Sequence, residues 1–450
     1  MGTLMKSVSG IRGVVGDTLT PELIVKVGAA FARWCKGGPV VVGRDGRPTG
    51  ATIADALEST LVLAGCDVID IGIVPTPTVQ LMVEELGARG GVIISASHNP
   101  IEWNAFKLVG PSGSFLNAKE IAKFFSMMEE PAAWKRWNRT GAMMHNDEAA
   151  DLHIARVLKV VNAARIRKKK FRVVLDSVNG AGSLITQRLL GELGCTVVPL
   201  YCEINGTFPR AAEPLAQNLG ALAARVKREK ADVGFAQDPD ADRLAIVNEK
   251  GAPIGEEYTI ALAAEHLLSK QSGRVVVNLS TTKAVEDVAR AHGAPFARAK
   301  VGEINVVEEM RRRGARIGGE GNGGVISPEV HLGRDSLAGI VYVLEMMAER
   351  GATVSELVSS LPQYVMKKGK VACPAEKSAG LVKRVRKEFA AERISELDGL
   401  RIDFRANPEF RGGWVHLRSS NTEPVFRIIA EGRDEKHVSA IYRYFEKLFA

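Results

Sequence analysis

The chain has 450 residues, 46% hydrophobic and 25% charged, with a formal net charge of +8. That composition excludes a disordered or fibrous chain, and the length exceeds the roughly 250–300 residues that one core serves, so two to four domains are expected. The N-terminus "MGTLMKSVSGIRG" has no signal-peptide apolar region, and no run nears the roughly 20 apolar residues of a membrane span, which points to a cytoplasmic protein with no membrane partner.

In chain order, "SVSGIRGVVG" holds Arg12 between glycines, and "GRDGR" holds Arg44 and Arg47 at the end of a first buried strand. Such arginines fit an anion or an ordinary surface salt bridge equally. Val40–Gly72 reads as strand, turn, helix, strand. The stretch "GGVIISASHNPIEWNAFKLVG" then starts as a buried strand and breaks into Ser95-Ala96-Ser97-His98-Asn99-Pro100. Polar side chains at the carboxyl end of such a strand lie where open α/β sheets bind ligands; a capping turn would use the same residues.

Phe171–Leu200 repeats the strand-turn-helix-strand plan, and so does Gly273–Gly302. In each unit an Asp, Ser or Thr stands at the strand-to-helix junction, where an N-cap is expected. Three such units predict three related α/β domains with mixed, mostly parallel sheets. The basic excess sits in "RIRKKKFR" at 165–172 and in Arg311–Arg313. Neither run is interleaved with aromatics, so both read as solvated faces and not as a nucleic-acid surface. Cys35, Cys66, Cys195, Cys202 and Cys373 show no CxxC spacing, which argues against a disulfide framework and against a zinc site; they read as buried thiols.

Three further stretches carry chemistry. "DVGFAQDPDADRLAIVNEKG" ends an apolar strand with Asp238, Asp240 and Asp242 at alternate positions, followed by Arg243. Carboxylates that close repel unless a cation compensates, and hard oxygen ligands suit Mg²⁺. "RIGGEGNGGVISPEV" surrounds Glu320 and Asn322 with glycines, which suits close backbone approach to a sugar or a plain hairpin. The last 85 or so residues break the α/β pattern: three strands and a terminal helix predict an α+β domain, entered through Pro362–Pro374. Within it "RSSNTEPVFR" gathers Arg418, Ser420, Asn421, Thr422 and Arg427, either a phosphate cradle or an Asn/Ser turn.

Those four motifs, in that order and at domain spacing, make the chain similar to the α-D-phosphohexomutase superfamily along its full length. The resemblance implies four domains, at 1–150, 151–253, 254–364 and 365–450, around a central cleft. It implies that Ser97 is carried as a phosphoserine, and that Ser97, Asp238, Asp240 and Asp242 ligate one Mg²⁺. Lys107 and His98 would serve proton transfer or positioning, with Arg12 and Arg243 as further positive contacts. Glu320, Asn322 and Glu303 would face the sugar; Arg418, Ser420, Asn421, Thr422 and Arg427 would hold the non-reacting phosphate. The implied activity interconverts hexose 1- and 6-phosphates through a bound 1,6-bisphosphate, which also activates the enzyme, in a monomer or homodimer.

The sugar loop departs from the common bacterial form, with Asn322 for serine and Gly324 for histidine, and "KVGEIN" has Glu303 where many members carry histidine. The subgroup resemblance favours glucosamine phosphate as substrate, with a broad phosphomannomutase/phosphoglucomutase as the alternative and a non-catalytic sugar-phosphate binder as the remoter one.

Overall fold

The apolar runs that open the three repeated units are central strands, because Val-rich segments such as "VVVGR", "RVVLD" and "VVVN" pack well when both faces of a parallel sheet are covered. The computed structural model describes residues 4–372, 375–419 and 425–449, with 375–379 as backbone alone. Strands Val40–Arg44, Arg172–Asp176 and Val275–Asn278 are followed by helices Gly50–Leu63, Gly182–Glu192 and Lys283–Ala291. Each chain segment then returns as a parallel neighbour, at Val68–Ile73, Thr196–Leu200 and Phe296–Ala299.

On the other side of each central strand lies one strand of an antiparallel hairpin. The hairpins are Gly90–Ile94 with Trp103–Val109, Val233–Gln237 with Leu244–Asn248, and Ile317–Glu320 with Gly324–Ser327. Their first strands run parallel to the central strands. The sheets are therefore mixed, parallel through the repeated unit and antiparallel beyond it. The turns of these three hairpins are the serine, aspartate and glycine-rich motifs.

The junction residues do not act as expected. Thr282 caps its helix, accepting from Ala284 N at 3.1 Å, but Thr49 and Ala181 make no side-chain bond to the helices they precede. The strand-ending Asp45, Asp176 and Asn278 instead accept from the backbone N–H two residues on, at 2.9–3.0 Å. Each repeated unit thus leaves its sheet through an Asx turn, in which the side chain competes with the helix for the same donors.

The fourth sheet is wholly antiparallel, in the order Val365–Ala372, Val425–Gly432, Trp414–Ser419, Leu400–Asp403, Arg393–Ser395. Helix Glu435–Phe449 buries Val438, Ile441, Phe445 and Phe449 against it, with the Phe426 and Phe449 rings stacked at 4.1 Å. The segment read as a passage into this domain is its eight-residue edge strand, whose alternation is hidden by three lysines and a glycine. Among the described residues no helix is long and apolar enough to cross a membrane. Cys35, Cys66 and Cys202 are buried and Cys195 is only partly so, while Cys373 lies outside the described residues. Arg312 and Arg313 pair with Glu309 on their own helix, as a solvated basic face should.

Candidate active site

Ser97 is the first residue the hairpin turns bring to the centre. It is 2% exposed and takes a left-handed backbone, φ 49°, a conformation that costs a non-glycine residue on the order of 1–2 kcal/mol. The strain is held by a buried network. Arg47 donates to the carbonyls of Ser97 and Asn99 at 2.9 and 2.7 Å and forms an ion pair with Asp45. Ser95 Oγ donates to Asp45 at 2.6 Å and accepts from Ser97 N at 3.0 Å. Arg12 donates to Asn99 Oδ1 at 3.0 Å. With the backbone so fixed, Ser97 Oγ points out of the first domain and donates to Asp238 Oδ2 of the second, at 2.8 Å.

Asp238, Asp240 and Asp242 are fully buried, and carboxylate atoms from the three lie within 4.8 Å of one another. The turn can aim all three inward because Ala241 also takes a positive φ of 52°. Three buried charges at that spacing are sustained by cations arriving from elsewhere. Lys107 bonds Asp240 and lies 3.7 Å from Asp242; Arg334 reaches Asp242 Oδ2 at 2.5 Å; Arg243 stands 3.8–4.0 Å from Asp242 and Asp238. Burial raises the Asp240 carboxyl, but Lys107 and Thr76 outweigh it and hold the group below the usual carboxylate range. Asp238 is pushed well up by burial and by its two neighbours. Asp240 Oδ1 and Asp242 Oδ1 are buried with no hydrogen-bond partner among the described residues. Hard oxygens left open in an acidic cluster fit a divalent cation such as Mg²⁺.

His98 stands beside Ser97 Oγ at 3.5 Å, and its Nδ1 accepts from Arg243 at 3.1 Å. Burial, followed by Arg243 and Arg12, drives its pKa down to about 2, so the ring is neutral. Arg243 itself is positioned by Glu213, at 2.7 Å.

The glycine-rich turn folds back on the protein. A side chain at Gly323, φ 88°, would strike the Leu244 backbone, and one at Gly321 the Glu257 carboxylate. Gly323 thus serves packing against the aspartate hairpin, whose Leu244 N donates to Gly323 O at 3.0 Å, and Gly321 serves packing against helix Glu257–Lys270. Glu320 accepts from Asn278, Gly302 N and Arg334 at 2.7–2.9 Å. Burial raises its carboxyl, yet these donors win and hold it low. Asn322, half-buried, reaches Glu320 at 3.4 Å. Glu303 lies behind this layer, its two oxygens taken by Gln80 at 2.9 Å and by Arg334 at 3.1 Å.

On the fourth domain Arg418 and Arg427 are cross-strand partners, with Lys370 next in the row. Arg427 is exposed, and Arg418 is 30% exposed and paired with Asp398 at 3.1 Å. Ser420, Asn421 and Thr422 lie outside the described residues.

Several members of this constellation carried no readable signal. Arg334, in "HLGRDS", joins three carboxylates from the second and third domains. Thr76 and Gln80 come from helix Thr76–Glu85 of the first, with Thr76 N donating to Asp240 O at 2.9 Å. Lys368 of the fourth reaches Glu257 at 2.8 Å and Gly321 O at 3.3 Å beside the glycine-rich turn. The one hint in the sequence was an arginine ending a strand directly before a capping aspartate, Asp335.

A four-domain α/β chain that brings a strained hydroxyl against a carboxylate triad, with cations from separate sheets around it, belongs to the phosphoryl-transfer class of enzymes. The phosphoglucomutase/phosphomannomutase alpha/beta/alpha domains I, II and III match residues 4–132, 151–251 and 255–365, and the C-terminal domain of that family matches 368–447. A phosphoglucomutase/phosphomannomutase of Thermococcus kodakarensis is 38% identical over 440 residues, 95% of this chain and 94% of that one. A probable phosphoglucosamine mutase of the same organism is 36% identical over 446 residues, 98% and 97% of the two chains. The crystal structure of a phosphoglucomutase/phosphomannomutase family protein from Burkholderia thailandensis superposes with a TM-score of 0.85 at 28% identity, covering 99% of this chain and 97% of that one. The chain belongs to the phosphoglucomutase/phosphomannomutase family of the α-D-phosphohexomutase superfamily, and it is a phosphohexomutase, an isomerase.

Proposed function

We propose that the protein interconverts glucosamine 6-phosphate and glucosamine 1-phosphate, with phospho-Ser97 as phosphoryl donor and glucosamine 1,6-bisphosphate as the bound intermediate. The observation that carries the Ser97 assignment is its strained, buried hydroxyl 2.8 Å from Asp238. In the first half-reaction the P–Oγ bond of phospho-Ser97 breaks as a bond forms between phosphorus and the free sugar hydroxyl. The hydroxyl proton leaves to a base, and Ser97 Oγ recovers a proton. The second half-reaction reverses this at the other phosphate, after the bisphosphate has turned in the cleft.

Lys107 is the candidate for the proton exchange, as the one lysine buried beside the triad among the described residues. Burial, with Arg243 and Arg12 beside it, keeps the His98 ring neutral and a weak base, so His98 positions Arg243 and Ser97. Ser97, Asp238, Asp240 and Asp242 would hold one Mg²⁺, which when bound neutralises charge on the transferring phosphoryl oxygens. The carboxylates outnumber the cations here, since Arg334 is shared by Asp242, Glu303 and Glu320 and Arg243 also serves Glu213. A phosphoserine of about −2 would add to that excess, which a divalent ion would offset. Arg418 and Arg427, with Ser420, Asn421 and Thr422, would hold the non-reacting phosphate. Asn322 and Glu320 would meet the sugar hydroxyls, and Glu303, occupied by Arg334 and Gln80, would act by positioning Arg334.

The probable phosphoglucosamine mutases among the relatives support the amino sugar. The 38% identical phosphoglucomutase/phosphomannomutase favours a second reading, broad specificity for mannose and glucose phosphates. A coupled assay with Mg²⁺ and a trace of hexose 1,6-bisphosphate, comparing glucosamine, mannose and glucose 1-phosphates by kcat/KM, separates the two. A preference for glucosamine supports the first reading. Comparable mannose and glucose rates replace it with the second.

A further inference from the structure

A second cluster of metal-ligating side chains lies away from the aspartate triad. His153, on helix Ala149–Leu158, His331, at the start of strand His331–Arg334, and Asp335, the cap of helix Ser336–Arg350, are 0%, 3% and 1% exposed. One ligand atom from each lies within 4.8 Å of the other two. His153 Nε2 is 2.9 Å from Asp335 Oδ2, and His331 Nε2 is 3.6 Å from the same oxygen. The two rings meet edge to face. Ligands of a four-coordinate ion with bonds near 2.0–2.1 Å stand about 3.4 Å apart, so both measured separations bracket the required one.

An ion pair between His153 and Asp335 accounts for only part of this arrangement. Both ring nitrogens of the buried His331 have no hydrogen-bond partner among the described residues, an unfavourable state for an imidazole whose Nε2 faces a carboxylate. The remaining atoms are arranged as a metal site requires. Asp335 Oδ1 is spent on the helix cap, accepting from Leu337 N at 2.8 Å, which leaves Oδ2 as a single-oxygen ligand. Thr78 Oγ1 bonds His153 Nδ1 at 2.8 Å, fixing the ring from behind and leaving Nε2 for an ion.

We propose that His153, His331 and Asp335 form a structural site for a borderline transition-metal cation, Zn²⁺ being the best chemical fit, separate from the hard-oxygen site of the aspartate triad. Two imidazoles and one carboxylate select Zn²⁺ over Mg²⁺. On binding, Nε2 of each imidazole donates its lone pair to the ion, and His153 in its neutral form carries its one proton on Nδ1, where it donates to Thr78 Oγ1. The absence of CxxC spacing excludes only a thiolate site. His153 and Asp335 stand 182 residues apart, beyond any spacing rule. The ion would tie helix Ala149–Leu158, which Thr78 links to the helix that carries Thr76 and Gln80, to the strand that carries Arg334, and so brace the active site from behind.

The test uses the full-length protein, dialysed against a chelator, given Zn²⁺ with a large excess of Mg²⁺, and assayed for retained zinc by mass spectrometry. About one equivalent per chain is expected in the parent and in Asp240→Asn, and under a tenth of that in His331→Gln. Zinc retained by His331→Gln but lost from Asp240→Asn overturns the proposal, as does no retention by the parent. Should His331→Gln fail to fold by circular dichroism, the visible spectrum of the Co²⁺-loaded parent decides. Intense four-coordinate bands abolished by Zn²⁺ support the site, and a weak six-coordinate oxygen-ligand spectrum overturns it.

Discussion

The serine-aspartate end of the cleft and the cationic face of the fourth domain both concentrate charge, but they satisfy it in opposite ways. At the first, the three aspartates are buried and each is met by a group from another sheet: Asp238 by Ser97, Asp240 by Lys107, Asp242 by Arg334. At the second, Arg427 is open to solvent and Arg418 holds only a partly exposed aspartate. The fourth domain joins the third through polar contacts, Ser280 to His416 at 2.9 Å, Val301 N to Asp398 at 3.0 Å and Lys283 N to Glu431 at 2.9 Å. Groups that stabilise a transition state gain from being fixed in advance, at a cost in strain and desolvation. Under the proposed reading, in which the fourth domain grips and releases a phosphate, its cations gain from staying solvated.

Substitutions at the two ends should therefore fail differently. The largest effect is expected for Ser97→Ala, which removes the proposed phosphoryl acceptor and with it on the order of 10⁴-fold or more of turnover, while folding persists because the network on the Ser97 backbone remains. Mutase turnover near the parent rate would remove Ser97 from the reaction. Arg334→Met comes next. It leaves Asp242, Glu320 and Glu303 buried without their shared cation, with an expected loss of about 3–5 kcal/mol of stability and a fall in kcat. Thermal unfolding beside steady-state kinetics checks both, and an unchanged melting temperature would contradict the buried-hub reading.

At the open end, Arg418→Ala should raise KM by roughly 10-fold with a smaller change in kcat and none in stability, because a solvated cation is lost. Equal losses in kcat and in kcat/KM would mean that the fourth domain is as preorganised as the cleft centre.

The smallest effect on turnover is expected at Glu58, a buried acid with no compensating cation in contact. Burial, then Asp70 and Asp55, raise its pKa from 4.5 to about 7, and its Oε1 has no hydrogen-bond partner among the described residues. The folded state holds this proton more tightly than the unfolded chain, so the stability it contributes is complete below about pH 4.5 and lost as pH rises through about 7. Glu58→Gln should match the parent at low pH and exceed it by on the order of 2–3 kcal/mol above pH 8, read from thermal unfolding at both values. A pH-independent difference would deny the titration.

Sequence by itself determined the three repeated units and the motif order, and it singled out Ser97 and the three aspartates as candidates. Strand periodicity and clustered like charge are local properties, and local properties survive in one dimension; the Asx turns that replace the expected caps were not read from it. It did not show that the motif loops are equivalent hairpin turns, nor that Arg334, Thr76, Gln80 and Lys368 reach the candidate site, because each acts on a carboxylate or backbone in another domain, Arg334 on Asp242. The glycine-rich turn and Glu303 show the same limit: glycines read as room for a ligand pack against Leu244 and Glu257, and an acid read as facing the sugar is held by an arginine. Which buried charge meets which is decided only when the sheets converge, since in the low dielectric of the cleft an unmatched charge costs more than any local preference can offset.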